Sequence, residues 1–164
     1  MTTTLVLGGA RSGKSAVAER LAGGGAVTYV ATAVGAAGDE DGDFAARIAA
    51  HRARRPANWV TVETLDLVGA LGAVAGTVLV DSLTTWVSGA SGFGVDVDGL
   101  VKALAVVPGD AVLVSDEVGL GVHPSTEAGR RFRDALGLVN QAVAAAADEV
   151  VLVVAGRVLR LEAP

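Results

Sequence analysis

Residues 5–21 read LVLGGARSGKSAVAERL, and the fold turns on how this stretch is understood. An apolar run breaks into a turn holding Gly8, Gly9 and Gly13, and an alanine-rich segment with helical spacing follows. The turn fits G-x-x-x-x-G-K-[ST] at Gly8, Gly13, Lys14 and Ser15. Glycines let the backbone wrap with its N–H groups inward, and the next helix presents its positive end to an anion. In this pattern the lysine reaches the β- and γ-phosphates as a mobile point charge, and the hydroxyl is placed to ligate Mg²⁺. A strand before the turn and a helix after it separate it from an ordinary glycine-rich connection. Gly8, Gly9, Ala10, Arg11, Ser12, Gly13, Lys14 and Ser15 are therefore read as a cradle for a nucleoside triphosphate.

The rest of the chain supplies the matching scaffold. Apolar, β-branched runs recur at Thr3–Leu7, Val27–Ala31, Trp59–Val62, Thr77–Val80, Ala111–Val114 and Val150–Val154, and Val158–Leu161 fits an edge strand. Runs that are continuous rather than alternating are typical of strands buried on both faces. Between them, Thr126–Ala147 places Phe132, Leu136, Val139 and Val143 at i, i+4 and i+7 spacing, and Asp43–Arg55 is helix-like up to Pro56. Strands alternating with helices predict a three-layer α/β P-loop NTPase (RecA-like) fold, with a mostly parallel central sheet and helices on both faces. Residues 1–164 fit one P-loop domain, long enough to bury about two thirds of its surface. Gly35–Gly42 and Ser88–Gly99 read as loops that order around ligand. Binding residues are expected where the strands end, at their carboxyl edge.

Composition narrows the function. The net charge of −5 argues against a nucleic-acid surface. The absence of cysteine excludes disulfides, thiolate catalysis and cysteine-ligated zinc. No apolar run approaches the ~20 residues of a membrane span, and Thr2–Leu7 leads into a glycine turn instead of a cleavage site. A cytoplasmic protein is expected. Of thirteen basic residues only Lys14 and Lys102 are lysines, so a lysine kept at position 14 suggests that arginine would not serve there. The sequence has no N/T-K-x-D segment of switch GTPases and no H-R-D or D-F-G of protein kinases. Acids stand at two strand ends, Asp81 in TVLVDSLTTW and Asp116 with Glu117 in AVLVSDEVG. Asp81 sits where a Mg²⁺-proximal acid belongs. Ser15, Asp81 and Glu117 are the candidate metal residues.

Two histidines are present. His123 precedes Pro124 and reads as a loop residue. His51 lies in RIAAHRARRPANW, and at ~100° per residue Arg47, His51, Arg54 and Arg55 share a sector of roughly 100°. Surrounding arginines favour the neutral imidazole and attract anions. That suits a nucleophile attacking phosphorus, and it equally suits an incidental histidine on a solvated basic face. Local chemistry leaves both open.

Taken together, GGARSGKS, YVATA, RIAAHRARRPANWVTVE, VDSLTTWVS, SDEVGLGVHP and GRRFRDALGLVNQAVAAAADEVVLVVAG resemble the bifunctional adenosylcobinamide kinase / adenosylcobinamide-phosphate guanylyltransferase family of cobalamin biosynthesis. The resemblance spans nearly the whole chain, and its arginine-rich segment and E-V-G-x-G segment are its most specific parts. It implies phosphorylation of adenosylcobinamide by ATP or GTP, then transfer of GMP from GTP to adenosylcobinamide phosphate with release of pyrophosphate. It implies that His51 carries the GMP, that Lys14 is catalytic, and that Mg²⁺ accompanies the nucleotide. It also implies nucleotide contacts at Thr32, Ala33, Val34, Arg52, Ala53, Arg54, Arg55, Glu63 and Asp81, and a homotrimer. The chain departs from the family pattern at Ala50, where some relatives carry a second histidine. Asp116 stands where an asparagine is expected, and Ser88–Gly99 is short and glycine-rich. Two rivals remain at this level: a P-loop small-molecule kinase without guanylyl transfer, and a non-catalytic nucleotide-binding regulator.

Overall fold

A computed structural model describes residues 1–33 and 56–163. His51, the arginines around it, Val34, Gly35–Gly42 and the helix expected over Asp43–Arg55 lie outside the described residues. The order of elements is β1 (Thr3–Gly8), α1 (Lys14–Ala22), β2 (Val27–Ala31), β3 (Val60–Glu63), α2 (Leu67–Gly72), β4 (Thr77–Asp81), α3 (Leu83–Gly89), α4 (Val97–Leu104), β5 (Ala111–Asp116), α5 (Glu127–Ala146), β6 (Glu149–Val154) and β7 (Arg157–Leu161). A single 3₁₀ turn covers Ser91–Phe93.

The seven strands among the described residues join one sheet in the order β3-β2-β4-β5-β1-β6-β7. Every pairing is parallel except the last, where β7 folds back antiparallel on β6. The apolar runs explain this arrangement, because both faces of the central strands are covered. On one face Leu5, Leu7, Val78, Val80, Ala111 and Leu113 pack with Leu67, Leu83, Leu100, Leu136, Val139 and Val143 of α2–α5. On the other, Val6, Leu79, Val112 and Val114 meet Val17, Ala18 and Ala22 of α1. The alternation within each strand divides the side chains between these two cores. The predicted strands and the long helix all appear within two residues of the expected bounds, and Val158–Leu161 is part of an edge strand as expected.

The reading of Ser88–Gly99 as a loop is corrected. α3 runs to Gly89, the 3₁₀ turn follows, and α4 begins at Val97. Four glycines in twelve residues suggested a flexible segment, but tertiary contacts order it. Phe93 meets the edge of Phe132 at a ring-centroid distance of 5.5 Å, and Arg131 Nη2 donates to Gly92 O at 3.3 Å. Asp96 starts α4 by accepting from Gly99 N at 2.8 Å.

Side-chain caps recur across this layer. Asp66, Ser82, Asp96 and Thr126 each accept from a backbone N–H in the first turn of their helix, which satisfies a donor the helix cannot satisfy itself. Among the described helices, α1 differs. It begins on Gly13, and it is the one described α-helix with no side-chain cap. Its positive end is left to the turn before it.

Candidate active site

The cradle is built from β1, the turn and α1. Gly13 sits at φ 93°, a left-handed conformation that redirects the chain into the helix and that residues with a Cβ rarely adopt. Gly8 is needed for a different reason: a Cβ there would collide with Ser12 Oγ and lie 2.8 Å from Val153 O on β6. Ser12 is buried, and its carbonyl accepts from Gly156 N at 2.8 Å. The β6–β7 hairpin thereby buttresses the turn from below. Gly9 has open space around it. Gly8→Ala is accordingly expected to cost about 1–3 kcal/mol in chemical denaturation, as overpacked sites do, and Gly9→Ala to stay within about 0.5 kcal/mol, as surface changes do. Equal losses in the two variants would contradict this account of the turn.

Lys14 Nζ lies in the cradle, 3.3 Å from Gly9 O and 2.6 Å from Asp116 Oδ1. Ser15 follows in the first turn of α1, half-buried. Strand register explains the meeting with Asp116: Gly8 at the end of β1 pairs with Asp116 at the end of β5. The same carboxyl edge carries Asp81 on β4, in register with Val114, and Ala31 on β2, in register with both Asp81 and Glu63. Three acids therefore occupy one edge with the cradle at its end. Asp81 is two strands from β1 and its Oδ2 accepts from Tyr29 OH at 2.5 Å. Glu63 is four strands away, roughly 19 Å at the usual ~4.8 Å spacing.

The other expected residues are distributed as follows. Ala10 and Arg11 are exposed in the turn, and Arg11 has φ 56°. Thr32 is buried; its hydroxyl donates to Ser82 O at 2.6 Å and lies 2.6 Å from Thr85 Oγ1. Its side chain ties β2 to the turn before α3, and Ala33 beside it is half-buried. Glu117 Oε1 accepts from Gly119 N at 2.6 Å, shaping the loop after β5. His123 belongs to that loop and its Nδ1 lies 2.9 Å from Arg133 Nη1. His51, Val34, Arg52, Ala53, Arg54 and Arg55 are outside the described residues.

Sequence reasoning missed the residues that fix the acidic edge. Asn140, buried in the second half of α5, donates from Nδ2 to Asp116 O at 3.1 Å and accepts from Ser115 Oγ at 2.6 Å. Thr84 Oγ1 accepts from Asp116 N at 2.8 Å. The available signal was an asparagine on the apolar face of a helix, next to Val139. A buried amide is retained where it satisfies fixed polar partners.

The donor set suits a hard cation: the Ser15 hydroxyl and the carboxylates of Asp81, Asp116 and Glu117 are all oxygen ligands, the kind Mg²⁺ takes. Among the described residues no group of three acids or histidines could hold an ion alone. Chemically, the arrangement can hold a triphosphate on α1 with its far phosphates at Lys14. Among the described residues no helix is long and apolar enough to cross a membrane.

Comparison with known proteins matches residues 4–161 to the family described as cobinamide kinase / cobinamide phosphate guanyltransferase. The bifunctional adenosylcobalamin biosynthesis protein CobP of Pseudomonas aeruginosa is 44% identical, with 93% of this chain and 92% of that protein covered. The corresponding proteins named CobU from Salmonella typhimurium and Escherichia coli are 40% and 38% identical, each with 93% of this chain and 95% of the relative covered. Among solved structures, the P4 protein from bacteriophage phi6 in complex with ADP overlaps with a TM-score of 0.43 at 18% identity, over 96% of this chain and 52% of that one.

Proposed function

The chain belongs to the cobinamide kinase / cobinamide phosphate guanyltransferase family, and from that premise we propose how its residues divide the work. It is a bifunctional transferase of cobalamin biosynthesis. In the kinase reaction the hydroxyl oxygen of adenosylcobinamide bonds to the γ-phosphorus of ATP or GTP. The bond from that phosphorus to the β–γ bridging oxygen breaks, the nucleoside diphosphate leaves, and the hydroxyl proton is lost. In the guanylyl reaction an imidazole nitrogen of His51 bonds to the α-phosphorus of GTP and pyrophosphate leaves. A phosphate oxygen of adenosylcobinamide phosphate then displaces the imidazole, giving adenosyl-GDP-cobinamide.

The family match carries this reading, because it runs from the P-loop through His51 to the terminal hairpin. The local geometry supports it. Lys14 is placed to follow charge on the β- and γ-phosphates, where electrostatic stabilisation dominates phosphoryl transfer. Mg²⁺ would be held by Ser15 with one or more of the edge acids, neutralising triphosphate charge. Imidazole attacks near neutral pH and leaves readily when protonated, as a covalent intermediate requires. Arg52, Arg54 and Arg55 supply positive charge beside His51, with the backbone around Ala53 and at Thr32–Val34 and the acids Glu63 and Asp81 completing the nucleotide site. The assembly proposed is a homotrimer.

One assay tests the whole: purified protein, adenosylcobinamide, Mg²⁺, and either ATP or GTP, with products followed by mass. Phosphorylated product under ATP and GDP-linked product under GTP are expected. Phosphorylation without any GDP-linked product would leave a small-molecule kinase, and nucleotide binding without turnover would leave a regulator.

A further inference from the structure

We propose that Asp116 is a positioning residue that makes nucleotide binding depend on the divalent cation. Its carboxylate holds Lys14 in the turn before nucleotide arrives, and afterwards it opposes a triphosphate that comes without a cation. The proposal rests on the P-loop reading of residues 8–15 and adds to it a role for Asp116 toward Lys14.

Three observations carry it. First, Asp116 Oδ1 is 2.6 Å from Lys14 Nζ, with side-chain exposures of 26% and 15%, so the pair is shielded from much of the solvent. Second, the acid is held in place from both sides of its backbone. Asp116 N donates to Thr84 Oγ1 at 2.8 Å, Asp116 O accepts from Asn140 Nδ2 at 3.1 Å, and Asn140 is itself tied to Ser115. Third, β5 lies directly beside β1 and Asp116 is in register with Gly8, so the carboxylate faces the site that phosphates occupy. Neither Asp81 nor Glu117 contacts Lys14: one oxygen of Asp81 accepts from Tyr29 OH and one of Glu117 from Gly119 N.

The consequence follows from charge. A triphosphate recruits the Lys14 ammonium toward its β- and γ-oxygens. The carboxylate then shares Lys14, its one close cation among the described residues, with a polyanion, at a site where water screens poorly. A divalent cation on the phosphates reverses the sign of that interaction, because the acid then faces positive charge. Asp116 therefore penalises metal-free nucleotide and favours the metal complex. A purely structural ion pair would alter stability and leave the metal dependence alone.

The test measures Kd for GTP by titration calorimetry in excess Mg²⁺ and in EDTA, for the wild-type protein, Asp116→Asn and Asp116→Glu. The ratio of the EDTA value to the Mg²⁺ value is expected to fall at least about tenfold in Asp116→Asn, a change of about 1.4 kcal/mol. It should stay near wild type in Asp116→Glu, which keeps the charge. Thermal melting checks that the variants fold, and Asp116→Ser replaces Asp116→Asn with the same expected ratio if the asparagine form does not. A ratio unchanged in the neutral variant overturns the proposal. So does tighter metal dependence on losing the charge. If the wild-type protein binds GTP in neither condition, the P-loop reading fails and takes this proposal with it; binding with an unchanged ratio sinks the proposal alone.

Discussion

Lys14→Ala is expected to lower kcat/KM of the kinase and the guanylyl reactions together, each by about 10²–10³. That is the size of effect seen when one preorganised charge-stabilising donor is removed from a site. Both reactions move charge within one triphosphate, and Lys14 Nζ is the cation that stands in the cradle between Gly9 O and Asp116. The loss should be shared because, in the proposed mechanism, the same nucleotide seat serves attack at the γ- and at the α-phosphorus. Lys14→Arg should rescue little. The site gives 15% exposure to a slim ammonium held against the turn, and a planar guanidinium needs different space and different partners. Steady-state kinetics of each half-reaction, with circular dichroism as a check on folding, measures this. A variant that loses one reaction and keeps the other would show that the two reactions do not share the P-loop.

His51→Ala separates the two reactions. Guanylyl transfer should fall by at least about 10⁴, the scale on which removing a covalent nucleophile acts, while phosphorylation of adenosylcobinamide stays within about threefold of wild type. The reason is chemical: in the proposed mechanism γ-phosphoryl transfer goes directly to the substrate hydroxyl, whereas GMP transfer passes through the imidazole nitrogen. GTP radiolabelled at the α-phosphorus should leave acid-labile, base-stable label on the wild-type protein and none on the variant. Equal labelling would remove His51 from the mechanism. Ala50 gives this chain no neighbouring histidine to substitute, so the loss should be complete rather than partial.

Much of the fold was legible because its signals are local. The VLV centres of TVLVD and AVLVSD are continuously apolar, and a strand covered on both faces uses such a run well. The spacing of Leu136, Val139 and Val143 marked the buried face of the long helix, and all three are buried. Ser88–Gly99 was misjudged because glycine content is also a local signal, while the contacts that order the segment, Phe93 on Phe132 and Arg131 on Gly92, come from about forty residues away. Thr32 shows the same limit within the site. Its place after β2 was readable from sequence, but the engagement of its hydroxyl with Ser82 and Thr85 was not.

The sequence by itself marked a turn suited to a triphosphate at the start of a helix, and the pattern of its segments pointed to the family. Gly8, Gly13, Lys14 and Ser15 act through backbone shape and reach within eight residues, so their spacing carries the information. Only the tertiary structure decided which acid meets the lysine. Asp81, Asp116 and Glu117 all end strands and read alike along the chain. The sheet order inserts β5 between β1 and β4, so Asp116 comes to 2.6 Å from Lys14 while Asp81 stands a further strand away beside Tyr29. Strand order is set by how two apolar faces are buried across the whole sheet, and no short stretch of sequence contains that choice.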